Sequence, residues 1–286
     1  MMVSQEISNQ EKQKRARSKV ILYVILVAIF SSVFYYLIIA SQSLETWVLP
    51  LMWSPAVAGL IALLVYDRSI RGVGWRQGKV KYLVAGAAIP LIYWLVIYAV
   101  IWIFGWGEFV GFSDFTSLFK LAISGILISI FLALGEEIGW RGVLVPNLSK
   151  FTTFTLTAVI SGAIWGLWHY PLIVTRLYAA NTNIIYQLLC FSVGIIGVAT
   201  MLAWFRLRSG SVWPAVLFHA VHNTLIDSVF QNATFDTDIT PYIGTEFGIG
   251  LALTGIVLFL IFWTRRAAVE GDQTAPGKLE SAAQTA

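Results

Sequence analysis

Eight long apolar runs constrain this chain more than any other feature. Each is close to the ~20 residues that a helix needs to cross the hydrocarbon core of a bilayer. The runs cover roughly residues 20–40, 46–66, 82–104, 119–144, 154–177, 184–205, 211–228 and 246–264. They lack the period-two alternation of barrel strands, and helices are the other structure that satisfies its own backbone in lipid. The sequence therefore predicts an all-α, polytopic membrane helix bundle with about eight transmembrane helices.

The composition also indicates a membrane protein with the lipid bilayer as its main partner. The 286 residues are 58% apolar and 12% charged, whereas soluble domains are ~45–50% apolar and ~25% charged. The net charge of +4 does not indicate nucleic acid, because the basic residues gather beside the apolar runs. The one cysteine, Cys190, excludes an internal disulfide and a cysteine-rich zinc site. We interpret it as a buried packing thiol rather than a reactive one.

Charge in the connections predicts the orientation in a cell membrane, because positive residues mark the cytoplasmic side. One set of connections carries Lys12, Lys14, Arg15, Arg17, Arg68, Arg71, Arg76, Lys79, Lys81, Arg141, Lys150, Arg206, Arg208, Arg265 and Arg266. The other set carries Glu45, Glu108, Asp114, Arg176, Asp227, Asp236, Asp238 and Glu246. We therefore expect both termini in the cytoplasm. The predicted domains are a basic N-terminus (1–19), an integral membrane domain (20–266) and a disordered cytoplasmic tail (267–286).

The fourth run contains two adjacent carboxylates, Glu136 and Glu137, followed by Arg141. Charged groups inside a bilayer cost ~2.5–3.5 kcal/mol each on insertion scales, which makes them candidates for function. Glu137 and Arg141 are four residues apart and share one helix face, so we expect an ion pair. Glu136 points elsewhere and is available for proton transfer. The alternative is a salt-bridged helix end near the cytoplasmic surface.

The fifth run places Trp165 and His169 four residues apart on one helix face. Gly162 and Gly166 share that face and would let another helix approach closely. His169 on its own is equally consistent with a hydrogen bond between helices or with an interfacial histidine.

The seventh run carries His219 and Asn223 one turn apart, with His222 beside them. An imidazole and a carboxamide aimed at one point can stabilise a developing oxyanion. The alternative is a polar link between helices, which we favour for His222 alone. Three separate helices thus supply acid, base or amide groups, as in sites built inside helix bundles.

These residues resemble the three motifs of the CPBP intramembrane protease family. The motifs are Glu136-Glu137-x-x-x-Arg141, Trp165-x-x-x-His169 and His219-x-x-x-Asn223. The family includes the Rce1-type CAAX prenyl endopeptidases and the bacterial Abi proteins, which include bacteriocin-processing and immunity proteins. The resemblance covers residues 119–228, the expected catalytic core. Trp165 stands where phenylalanine is common in the family, an aromatic exchange that we expect to be harmless.

The resemblance implies an endopeptidase that is either glutamate-type or metal-dependent, with a peptide or membrane protein as substrate. Glu136 and His169 would activate water, His219 and Asn223 would form the oxyanion site, and Glu137 with Arg141 would orient the carboxylate. Water would enter from the cytoplasmic side. The predicted span limits leave Glu136 and His169 at different depths, so span five must start later or bend near Pro171.

A metal ion and two other functions stay open. Glu136, His169 and His219 are candidate zinc ligands, with His222 as a further imidazole, although no His-Glu-x-x-His motif is present. A non-catalytic scaffold or immunity protein of the same family would keep the motifs as structural links. A transporter or proton relay would also use intramembrane acids and histidines, but the inverted repeats expected of a transporter are not found.

Overall fold

The structure is a computed structural model that describes residues 2–111 and 114–274. The α-helices are α1 (Met2–Ser41), α2 (Leu44–Asp67), α3 (Val80–Ile103), α4 (Phe115–Glu137), α5 (Val145–Leu148), α6 (Phe154–Val174), α7 (Ile184–Ser209), α8 (Trp213–Thr224), α9 (Thr240–Ile243), α10 (Ile249–Thr264) and α11 (Ala267–Thr274). Other elements are a 3-10 turn (Arg71–Val73), π-helical segments (Ile138–Leu144 and Leu225–Phe230) and strands β1 (Gly107–Phe109) and β2 (Thr234–Asp236).

The prediction of a polytopic membrane helix bundle is confirmed. Among the described residues, six helices are long and apolar enough to cross a membrane, and they correspond to the first six predicted runs. The last two runs form shorter helices. Helix α8 has 12 residues and continues into the π-helical segment Leu225–Phe230, and α10 has 16 residues.

The fourth span is longer than the sequence predicts, and this brings two site residues to similar depth. Helix α4, the π-helical segment Ile138–Leu144 and α5 follow one another without a break, so the span ends at Leu148 rather than at 144. At ~1.5 Å per residue, Glu136 then lies ~18 Å from that end, and His169 lies ~22 Å from the start of α6. Helix α6 begins at Phe154 as predicted, so a later start of span five is not the explanation.

Glycines let the helices of the site approach one another closely. A Cβ at Gly139 would lie 2.6 Å from Pro55 of α2 and from the Tyr23 hydroxyl of α1. A Cβ at Gly162 of α6 would lie 3.0 Å from Ala199 of α7. Small residues at helix interfaces permit this contact in membrane proteins. The predicted small-residue face of α6 is therefore a packing face against α7.

The two ends of the bundle differ in charge, and we call them the basic end and the acidic end. The basic end contains the N-terminal part of α1 and the connections 68–79, 149–153, 210–212 and 265–266. The acidic end contains the connections 42–43, 104–114, 175–183 and 231–248. At the acidic end β1 and β2 pair antiparallel, with Glu108 opposite Phe235. The sequence did not predict this small sheet.

The terminal segments continue into helices at the basic end. Helix α1 begins at Met2, so the basic N-terminal segment is helical and continuous with the first span. The segment predicted as a disordered tail starts with α11, where Glu270 accepts a hydrogen bond from the Phe154 backbone N–H at 3.1 Å. Residues 275–286 of that predicted tail lie outside the described residues.

Candidate active site

A cavity of about 260 Å³ lies between the helices of the bundle. Glu136 of α4, His169 of α6, and His219 and Asn223 of α8 all line it. The chain separates these residues by up to 87 positions, and tertiary packing brings them to one space. The predicted convergence of three helices on a common chamber is therefore present in the structure.

Glu136 is 2% exposed and is held on one side by two tryptophans. Its Oε2 accepts hydrogen bonds from the indole N–H of Trp165 at 2.8 Å and of Trp140 at 3.2 Å. Both donors bind the same oxygen. Within the described part of the chain, Oε1 accepts no hydrogen bond, so it is the oxygen available to water or substrate.

Glu137 and Arg141 form a fully buried ion pair beside the cavity. The Arg141 guanidinium donates to both Glu137 oxygens, at 2.8 and 3.1 Å, and the two side chains are 1% and 0% exposed. The alternative of a surface helix end is therefore wrong. The guanidinium also lies 4.0 Å from the ring centroid of Trp165, a cation–π contact. Neither Glu137 nor Arg141 lines the cavity.

His169 is fixed by the backbone of its own helix. Its Nδ1–H donates to the Trp165 carbonyl at 2.8 Å, and the ring packs against Trp168 and Phe191, with centroids 4.8 and 5.1 Å away. This hydrogen bond selects the tautomer in which Nε2 carries the lone pair. The nitrogen of His169 that remains for the cavity is thus a proton acceptor.

His219 links the cavity to the buried ion pair. Its Nδ1 lies 3.0 Å from Glu137 Oε1, and its ring centroid is 5.6 Å from that of Trp165. A carboxylate at Nδ1 stabilises the protonated imidazole, which leaves Nε2–H as a donor. Asn223 follows one turn later on the same face and also lines the cavity. Two groups of α8 that can donate hydrogen bonds thus face the same space.

Trp165 is the residue that connects the whole group. Its indole N–H binds Glu136, its carbonyl accepts from His169, and its ring contacts Arg141 and His219. Phenylalanine cannot make the first of these bonds. We expected tryptophan in place of phenylalanine at position 165 to be harmless. In the structure it instead gives the candidate base Glu136 a specific hydrogen-bond donor.

Comparison with known proteins agrees with this geometry. Residues 118–225 match the family model described as "Type II CAAX prenyl endopeptidase Rce1-like". That range contains all three motifs and nearly coincides with the predicted core, 119–228. Over this range the chain is similar to the Rce1-like family. The predicted family resemblance is confirmed.

A curated protein is also similar to part of this chain. It is "CAAX prenyl protease 2" of Methanococcus maripaludis, which is 28% identical over 117 residues. The aligned segment covers 40% of this chain and 42% of the relative, so the match spans less than half the length of either protein.

Three cavity residues, Tyr178, Asp227 and Glu246, and the neighbouring Tyr93 were missed or undervalued by the sequence analysis. Glu246 Oε1 lies 2.7 Å from Nε2 of His222, while Tyr93 binds the other ring nitrogen of that histidine and Tyr178 binds Glu246. Asp227 also lines the cavity. The sequence analysis treated Asp227 and Glu246 only as charges in the connections. Tyr93 and Tyr178 belonged to no recognisable motif. Both nitrogens of His222 are occupied, which agrees with a polar link between helices.

The three candidate zinc ligands do not fit a metal site in this arrangement. Within residues 2–111 and 114–274, no three His, Cys, Asp or Glu side chains are grouped so that they could hold a metal ion. In this described part of the chain, Glu136 Oε1 and His219 Nε2 keep their lone pairs or protons free of protein partners, so it is the lack of grouping of the side chains, and not their hydrogen bonds, that disfavours a shared metal ion. A structural zinc takes four ligands, and a catalytic zinc takes three with an open position.

The cavity extends toward the acidic end of the bundle. Its lining includes Leu44 at the start of α2, Tyr178 of the connection 175–183, and Glu246 of the connection 231–248. The loop charges predicted a cytoplasmic basic end, and the family resemblance implied that water enters from the cytoplasm. These two predictions conflict in the structure, because the cavity reaches the opposite end from the basic connections.

Proposed function

We propose that the chain is an intramembrane endopeptidase that hydrolyses a peptide bond in its buried cavity. One observation carries the proposal: Glu136, His169, His219 and Asn223 line the same cavity, and each keeps an atom available to it. The Rce1-like match over these motifs supports the same reaction class. The matched relative is a CAAX prenyl protease by name. For this chain we propose the broader class, a peptide segment of a membrane-associated substrate.

Water activation is the proposed role of Glu136 and His169. Glu136 Oε1 and His169 Nε2 are both lone-pair acceptors on the cavity side. Water attacks the scissile carbonyl carbon, and its proton passes to one of these acceptors. The same proton then passes to the amine nitrogen of the leaving peptide as the C–N bond breaks. Positioned proton transfer of this kind contributes ~10²–10⁴ in rate.

Oxyanion stabilisation is the proposed role of His219 and Asn223. The carbonyl oxygen becomes negative in the tetrahedral intermediate, and the Nε2–H of protonated His219 and the amide N–H of Asn223 would donate to it. One such donor is worth ~10²–10³ in kcat in a preorganised site. Glu137 acts through His219 by stabilising its protonated form, so it is a positioning residue, with Arg141 holding it in place.

The test is cleavage of a fluorogenic membrane-peptide library by the purified, reconstituted chain. We expect Glu136→Gln and His169→Ala each to lower kcat by ~10²–10⁴ with little change in the melting temperature. Glu108→Gln is the matched control, because this exposed glutamate lies on β1 outside the cavity. Cleavage that persists unchanged in both cavity variants would refute the assignment. Binding of peptides without cleavage by the unaltered chain would favour the scaffold alternative.

A further inference from the structure

The charges of the two ends differ strongly enough to orient the protein. Among the described residues, the acidic end carries the basic residues Lys120 and Arg176, while the basic end carries five in the connection 68–79 and its flanks, namely Arg68, Arg71, Arg76, Lys79 and Lys81. The short connections beside the spans are those that determine orientation. By this rule we expect the basic end to face the cytoplasm and the acidic end to face the outside of the cell membrane.

The residues that line the cavity include both site residues and residues near the acidic end. Among its polar residues Glu136 and His219 are buried, whereas Tyr178 and Glu246 belong to connections at the acidic end and Asp227 lies near that end. Asp227 is exposed, and His169 and Asn223 are partly exposed. The more exposed lining residues therefore lie on the acidic side of the buried ones, which favours entry of water from that side.

The opposite side of the site is closed by packed and hydrogen-bonded structure. Beneath Glu137, the Arg206 side chain donates to the Arg141 carbonyl and to the Gly72 carbonyl, each at 2.8 Å. The Val212 N–H donates to the Gly74 carbonyl at 3.0 Å, which joins two basic connections directly. Between them Val73 is fully buried. A peptide coming from the basic end would have to break this layer.

We infer that the active site opens to the extracytoplasmic face, so that its substrate is a peptide segment presented outside the cytoplasm. This inference rests on the proposed function for the chemistry, and on the cavity and the charge distribution for the side. A substrate of this class is an exported peptide or the outer flank of a membrane protein. It reaches the scissile position along the wall formed by Asp227 and Glu246, and no lysine or arginine is among the cavity-lining residues that the structure describes.

Cysteine accessibility tests the side without requiring any cleavage. The background is full-length Cys190→Ala, which removes the one native cysteine. Single cysteines are then placed at two exposed reporters, Gln77→Cys at the basic end and Asp238→Cys at the acidic end, and at two cavity positions, Val48→Cys and Asp227→Cys. Each variant is treated with a small, membrane-impermeant thiol reagent in right-side-out and in inside-out membrane vesicles.

We expect Asp238→Cys, Asp227→Cys and Val48→Cys to react severalfold faster in right-side-out vesicles, and Gln77→Cys to react severalfold faster in inside-out vesicles. Cavity cysteines that react together with Gln77→Cys would overturn the inference. The inference is also wrong if Gln77→Cys reacts faster in right-side-out vesicles, or if the cavity cysteines react from neither side. A chain that fails to cleave peptides but shows the expected labelling loses the protease proposal and keeps its sidedness. If the chain cleaves peptides but the labelling is reversed, the protease proposal stands and the inference about the side is wrong.

Discussion

The indole N–H of Trp165 donates to Glu136 Oε2 over 2.8 Å, from one helix to the next, inside the site. This bond fixes which carboxylate oxygen faces the cavity. The same tryptophan supplies the carbonyl that orients His169. One residue that does not itself need to react therefore positions both candidate general bases, Glu136 and His169.

Replacing Trp165 by phenylalanine tests this positioning role. Trp165→Phe keeps the backbone carbonyl and most of the aromatic surface but removes the indole donor. A hydrogen bond to a charged group is worth ~1.5–3 kcal/mol, so we expect kcat to fall by about ten- to a hundredfold while KM changes little. The measurement is steady-state cleavage of one fluorogenic peptide, together with a melting curve.

Trp102→Phe is the matched control for that experiment. The Trp102 indole donates to Thr234 at 3.0 Å, and neither residue lines the cavity. Trp102→Phe also loses a hydrogen bond from an indole N–H, but we expect its kcat to equal that of the unaltered chain. Equal activity losses in the two variants would show that Trp165 has only a structural role.

The buried pair of Glu137 and Arg141 makes a prediction about stability. Glu137→Gln leaves the Arg141 charge buried without its counter-ion, and removing one partner of a buried pair costs ~3–5 kcal/mol. We expect a marked fall in the melting temperature and in activity. The double variant Glu137→Gln/Arg141→Met should recover much of the stability, because the unpaired charge is gone. Activity should stay low in the double variant, since His219 still lacks its carboxylate.

Thermal unfolding in detergent and a cleavage assay on both variants give this comparison. A single Glu137→Gln variant as stable as the unaltered chain would contradict the buried pair. Recovery of full activity in the double variant would contradict the role of Glu137 at His219.

The acidic wall of the cavity makes a prediction about charge preference. Asp227 is exposed and lines the cavity, so it should attract a lysine or arginine in the substrate. Changing a charge at a rim alters association and its salt dependence. We expect Asp227→Asn to raise KM for a lysine-containing peptide about two- to fivefold at low salt, and to leave a neutral analogue unchanged.

Asp238→Asn is the control for this effect, because Asp238 is exposed at the same end but does not line the cavity. The KM difference should disappear at about 1 M salt, where the Debye length is ~3 Å. The same KM change for the neutral peptide would rule out the electrostatic explanation.

The geometry of the donor set makes a prediction about metal dependence. Because Glu136, His169 and His219 are not grouped as metal ligands, we expect cleavage to survive dialysis against a chelator. Metal content measured by atomic emission on the active, dialysed protein should stay far below one ion per chain. Activity that is lost on chelation and restored by zinc would refute this prediction and require a different arrangement of the three side chains.

Local patterns were enough to identify the helices and most of the candidate site. The apolar runs were long enough to predict spans, because hydrophobic length is a property of a single segment. The spacing of Glu137 and Arg141 predicted their ion pair, because side chains four apart meet on one helix. The end of the fourth span was misplaced by four residues, because polar Asn147 and Pro146 are tolerated in a helix that is buried by its neighbours.

By itself, the sequence determined a membrane-embedded helix bundle and the ionisable groups that it keeps inside the spans. The tertiary structure alone decided that Trp165 binds Glu136, that Glu246 joins His222, and that the cavity reaches the acidic end. The physical reason is the difference between interactions within one segment and contacts between segments that are distant in the chain. Burial length and helical spacing act within one segment, whereas a contact between distant helices depends on how closely their backbones pack, as at Gly139 and Gly162.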